Sequence, residues 1–169
     1  LVGALVDLAG TAGLALMPSY THLRRAQPVL VAHFLLAHAS AVRRDFDRLE
    51  AARVDADALT LGSGAIAGTS YAVDTAALAR RLGFSRVVAN SMDASSDRDF
   101  AASFLFAVSL SMVHLSRIAE DFIIFTGEEH GFFELSDASA TGSSMRPQKK
   151  NPDPLRSEEH TSELQSRGL

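Results

Sequence analysis

A chain of 169 residues is long enough to bury a core, and 47% hydrophobic with 21% charged residues describes a folded chain, not a disordered one. With 16 basic against 20 acidic residues the net charge is -4, which offers no electrostatic footprint for nucleic acid or an anionic membrane. Cysteine is absent, which excludes disulfides and thiolate metal sites and fits a reducing compartment.

The first residues, "LVGALVDLAG", carry neither an initiator Met nor the basic region of a signal peptide, so the chain is expected to begin within something longer. A first helix is predicted from Leu1 to about Leu16, ended by Met17-Pro18, because the residue before proline is pushed out of the α region. "MPSYTHLRRAQP" then reads as a loop between helices, with Pro28 in the first turn of a second helix that runs to about Arg53. "LGSGAIAG" is too rich in glycine to continue a helix and is a loop. "VDTAALARRLG" is a short amphipathic helix, with Asp74 near its start and Gly83 at its stop.

A third long helix is predicted from Ser96-Asp97, good N-cap chemistry, to Gly127. Its apolar residues cover nearly every face, as in a helix at the centre of a bundle. Ala26–Val42 and Phe100–Ser116 each run without a charge, but both contain His and Ser and continue into charged helix, so bundle helices explain them better than membrane spans. "ELSDASATGSS" has the small polar composition of a mobile loop. No strand-like alternation stands out, and the expected fold class is all-α, a long-helix bundle. Two helices of that length exceed what one small monomer buries, which predicts partner helices from elsewhere.

The chemistry is concentrated in a few places. Of the 16 basic residues only two are lysines, Lys149 and Lys150, adjacent in the 142–151 loop. A compact ammonium suits charge developing on a carboxylate or phosphate, although a solvated surface pair would look the same in sequence. Ser143 and Ser144 beside Gly142 could supply a nucleophile or base, or only a linker. His22, with Thr21 beside it, suits general acid–base work in a loop, or is a structural His. His33, His38 and His114 lie in apolar helical runs and read as core or packing residues. The five-residue spacing of His33 and His38 does not place two ligands on one helical face, and no metal is assigned. Arg98 at a helix start opposes the helix dipole, which an anion-binding role or pairing with Asp97 and Asp99 would explain.

Taken together, "MPSYTHLRRAQP", "GSGAIAGTSY", "NSMDASSDRDF" and "GSSMRPQKKNPD" resemble, in order and spacing, the argininosuccinate lyase branch of the fumarase/aspartase superfamily. The resemblance covers residues 1 to 155. It implies the central helical part of that fold and cleavage of argininosuccinate to arginine and fumarate by elimination, with no cofactor. It further implies Ser143 as the base for the Cβ proton, Lys149 as the cation facing the carbanion's carboxylate, and Asn151 as a second holder of that carboxylate. Thr21 and Arg98 would bind substrate, and His22 would assist proton delivery to the leaving nitrogen. A cytoplasmic homotetramer acting on a small molecule, with no nucleic acid or membrane partner, is implied as well. A sister lyase acting on adenylosuccinate or aspartate, and a non-catalytic crystallin-like protein, are the alternatives.

Some positions depart from the pattern. Arg24 stands where Gln is usual, Arg146 where Met is usual, and Pro154 where Ala is common. Arg156 replaces an expected Glu and opens "RSEEHTSELQS", which resembles the translation of a sequencing adapter. Residues 156–169 are therefore expected to be a non-native tail, and the chain as written is expected to be inactive by itself.

Overall fold

In the computed structural model the structure describes residues 1–136, 140–143 and 146–157. Its backbone divides into two compact units, one of residues 1–45 and 109–169, the other of residues 46–108. Long helices dominate, as expected, but three two-stranded sheets accompany them.

In the first unit, α1 (Val2–Ala12) stops short of the predicted end, at Gly13 with φ 54°. The chain then forms a hairpin, not a loop: β1 (Leu16–Thr21) pairs antiparallel with β2 (Arg24–Leu30). Pro18 faces Pro28 across this ladder, with a register shift between Pro18 and Tyr20. A two-stranded sheet has only edges, so both prolines are tolerated in it. Pro28 therefore lies within a strand and does not open the helix, and α2 (Val31–Ala56) begins three residues later. Leu5 and Ala9 of α1 bury against Leu35 and Ala39 of α2, with Phe34, Phe122 and Phe133 packed around them. The C-terminal half of α5 (Asp99–Thr126) supplies Phe122 and Phe125.

In the second unit, the end of α2 is closed by Arg86, whose guanidinium donates to the Val54 and Asp55 carbonyls at 2.9 Å each. Those carbonyls belong to the last helical turn, and a cation there satisfies both their hydrogen bonds and the helix dipole. Arg86 is fixed by β4 (Arg86–Val87), which pairs parallel with β3 (Ala58–Leu59). In the glycine-rich loop between β3 and α3 (Thr75–Leu82), Gly68 N–H donates to the Ser63 carbonyl at 2.7 Å. A Cβ on Gly64, at φ 61°, would meet the Gly68 carbonyl oxygen at 2.3 Å, so only glycine fits this turn. As predicted, Asp74 caps α3 by accepting from Ala77 N–H at 2.8 Å, and Gly83 ends it in the left-handed region.

The third long helix starts later than predicted. Ser91–Ser96 form a separate short helix, α4, capped by Asn90, and Asp97 ends it. The chain re-enters helix at Asp99, where Arg98 supplies the carbonyl that accepts from Ala101 and Ala102. α5 is the one helix among the described residues long and apolar enough to cross a membrane, a test that the core helix of a folded bundle also passes.

Candidate active site

Thr21 and His22 sit at the tip of the β1–β2 hairpin, where Thr21 pairs with Arg24 and leaves His22 and Leu23 as the two loop residues. Both have positive φ, 52° and 56°. A two-residue loop with both residues left-handed matches the twist of its strands, and Asn-Gly is the usual solution. Here a His and a Leu occupy it. Histidine enters this region more readily than most residues, but leucine does not, and such backbone costs about 1–3 kcal/mol per residue. Leu23 is 80% exposed, so no packing within this chain offsets the strain.

The strand behind the tip is well held. Ser19 Oγ donates to the Gln27 carbonyl at 2.6 Å. The Tyr20 ring packs at 5.6 Å from Phe125, 5.4 Å edge-on to His130 and 6.3 Å from Phe132, measured between centroids. Its hydroxyl is buried with no hydrogen-bond partner among the described residues. An aromatic clamp thus anchors one end of a strained turn and leaves Thr21 and His22 exposed at the other.

The serine–lysine segment, expected to be a mobile loop, is a second hairpin in the same unit. β5 (Thr141–Ser143) pairs antiparallel with β6 (Arg146–Asn151), matching Thr141 with Asn151, Gly142 with Lys150, and Ser143 with Arg146. The backbone therefore brings Ser143, Lys149 and Asn151 into one element. Ser144 and Met145 lie outside the described residues, as do the side chains of Ser143 and Lys149 and residues 158–169 of the proposed tail. Lys150 Nζ lies 3.0 Å from Glu134 Oε1, an exposed ion pair of the kind that contributes little stability. The two hairpins are separate sheets.

Arg98 belongs to the other unit, exposed between α4 and α5. Its guanidinium donates to the Asp97 backbone carbonyl. Asp97 Oδ1 instead accepts from the Asp99 N–H at 3.1 Å. Asp99's own carboxyl is pushed above the ordinary carboxylate range, first by the charge of Asp97.

Two carboxylate partners escaped the sequence reading. His114 is buried, as expected, but its Nδ1 lies 2.7 Å from Oδ2 of Asp45, which is also buried. His38 Nε2 lies 3.1 Å from Asp121 Oδ2. His33 is exposed and is not a packing residue in this chain. A signal for the pairs does exist: both long helices carry His-x6-Asp, at 38 and 45 and at 114 and 121, the spacing that keeps two side chains on one helical face.

Residues 1–161 match the family model described as lyase. The chain is 57% identical over 150 residues to the argininosuccinate lyase of Roseiflexus castenholzii, covering 89% of this chain and 33% of that one. It is 59% identical over 150 residues to the argininosuccinate lyase of Roseiflexus sp., with the same coverage. Among solved structures it is similar to an EDDS lyase crystallised with formate, with TM-score 0.89, 29% identity, and coverage of 95% of this chain and 32% of that one. The chain thus spans about a third of the curated relatives it matches. With the family model matching nearly from end to end and the long-helix backbone of a solved lyase reproduced, the chain belongs to the lyase family.

Proposed function

We propose that the chain is the central helical part, residues 1–155, of an argininosuccinate lyase, which splits argininosuccinate into arginine and fumarate. Ser143 takes the Cβ proton, and the electron pair left behind moves into the neighbouring carboxylate, which becomes doubly charged. Lys149 and Asn151 hold that carboxylate, since carbanion character beside a carboxylate survives only where fixed donors meet it in a water-poor site. The Cα–N bond then breaks as the Cα–Cβ double bond forms, and His22 assists proton delivery to the departing guanidino nitrogen. Thr21 and Arg98 bind the substrate. The serine and the lysine travel on one closing segment, so base and cation arrive together. The whole protein is a cytoplasmic homotetramer that needs no cofactor, and residues 156–169 are foreign to it.

The observation that carries this reading is the left-handed backbone at His22 and Leu23, at the tip of a clamped hairpin. Strain of that kind persists where a site needs it, and exposed turns without a task relax to easier residues. Support for the substrate comes from the identity to named argininosuccinate lyases. The test is a graft in which residues 1–155 replace the matching third of the Roseiflexus castenholzii argininosuccinate lyase. Fumarate release is then followed by ultraviolet absorbance with argininosuccinate, adenylosuccinate or aspartate as substrate. Turnover of argininosuccinate alone is expected. Preference for either other substrate would reassign the chain to a sister lyase, and no turnover from a folded graft would favour a crystallin-like role.

A further inference from the structure

The two His–Asp pairs form two rungs between α2 and α5. His38 of α2 meets Asp121 of α5, and His114 of α5 meets Asp45 of α2. Seven residues forward along α2, from His38 to Asp45, match seven residues back along α5, from Asp121 to His114, so the helices run antiparallel in one register across both rungs. Between the rungs, on the same face of α2, stand Ala41 and Val42, and of these Ala41 lines the space between the pairs. A small side chain at that position leaves space, and a pocket of about 250 Å³ lies there, lined among others by His38, Arg44, His114, Arg117 and Asp121.

We infer that this pocket binds a small oxyanion, a carboxylate or a phosphate group. Its charges favour one. Asp121 is engaged by His38 at one end, and Asp45, which does not line the pocket, engages the far nitrogen of His114 at the other. The lining thus holds two guanidiniums, Arg44 and Arg117, against the single carboxylate of Asp121, which leaves positive charge in excess. Arg44 donates to the Ser40 carbonyl at 3.1 Å, a neutral acceptor that leaves its charge uncompensated by that bond. With Nδ1 of His114 held by Asp45, Nε2 is that ring's other polar atom. The oxyanion therefore sits at the His114 end, away from Asp121, where the two guanidiniums donate to it; charge-assisted bonds of this kind are the strong ones. A water occupies about 30 Å³ of liquid volume, so the pocket holds an anion of a few heavy atoms with its residual water and is too small for a larger ligand.

The site is distinct from the residues assigned to the elimination, and it stands or falls without them. The 169-residue chain is titrated with inorganic phosphate and, separately, with fumarate, while the His38 and His114 ring protons are followed by NMR. Both rings are expected to shift saturably. Saturation by phosphate alone or by fumarate alone identifies which oxyanion is held. Arg117→Gln, which removes one positive charge, should weaken binding about tenfold. Ala41→Met, which fills the space and leaves every charge in place, should abolish it with the helical circular dichroism unchanged. Arg80→Gln on α3 should bind as the parent does. Absence of saturable shifts, or full affinity in both Arg117→Gln and Ala41→Met, would overturn the inference. The same titration on the graft described above guards against an effect of chain length, since a further helix covering the pocket there would abolish the shifts and overturn it too.

Discussion

The two rungs have similar geometry and different surroundings, and substitution should separate them. In the inner rung, the Asp45 side chain is 5% exposed and the His114 side chain 11%. Replacing His114 by Leu keeps the volume apolar but takes a partner from a carboxylate that water does not reach. Removing one member of a buried charged pair costs about 3–5 kcal/mol, and loss of a hydrogen bond to a buried polar group about 1–3 kcal/mol. Because Asp45 has an interaction besides the one with His114, a cost of about 2–4 kcal/mol is expected for His114→Leu. In the outer rung, Asp121 is 39% exposed. After His38→Leu, water solvates that carboxylate, and the loss should stay below about 1 kcal/mol. For a chain of this size, each kcal/mol moves the melting midpoint by roughly 2–4 °C, so the variants should differ by several degrees. Urea unfolding followed by circular dichroism measures both. The double variant His114→Leu/Asp45→Leu should recover much of the loss, since an apolar pair of similar volume often matches a buried ionic one. Equal costs for the two single variants, or a larger cost at His38, would refute the argument from burial.

Leu23→Gly should leave the urea midpoint unchanged or raise stability by up to about 1 kcal/mol: the left-handed strain of a non-glycine residue is relieved, less the added freedom of the unfolded chain. A drop of more than about 0.5 kcal/mol would mean that Leu23 makes a contact its exposure hides. The Asp57 carboxyl is held below the ordinary carboxylate range, first by the Ser85 backbone N–H at 2.9 Å. Its folded value being the lower one, the stability it contributes is present above its unfolded value of 3.8 and is lost as pH falls through the folded value. Asp57→Asn should flatten that part of the acid limb in pH-dependent unfolding. In the active graft, Lys149→Met should cut turnover by about 10²-fold or more with helicity unchanged, because a developing oxyanion would lose its cation. Undiminished turnover would remove Lys149 from the chemistry.

The helices were legible because their signals are local. Asp74 before α3 and Gly83 after it need only their neighbours to act as cap and stop, and both do. The hairpin of residues 16–30 was not legible, for a physical reason. Its turn carries His-Leu where Asn-Gly would announce two left-handed residues, and prolines stand on both strands. Every local rule argues against a hairpin there, so the pairing is imposed by packing from elsewhere: the Tyr20 ring against Phe125 and Phe132, residues more than a hundred positions away. The motif that carries the resemblance, Thr21-His22, therefore sits where local propensity and observed backbone disagree most, which is the disagreement expected of a residue kept for a task.

The same division explains the missed carboxylates. A lone His in an apolar run offers no local means of telling a packing residue from a paired one, because the partner is supplied by another helix. His38 and His114 each have an Asp seven residues on, but within one helix that spacing separates them by two turns, about 10 Å, too far to bond. The repeated His-x6-Asp becomes informative only when the two helices are set antiparallel, whereupon each His finds the other helix's Asp and both pairs close in one register. Slipping the register by one turn would break both rungs together and leave Asp45 buried without His114. The pairs therefore specify alignment more than they add stability, as a polar group inside a helical seam does when every wrong alignment strands it.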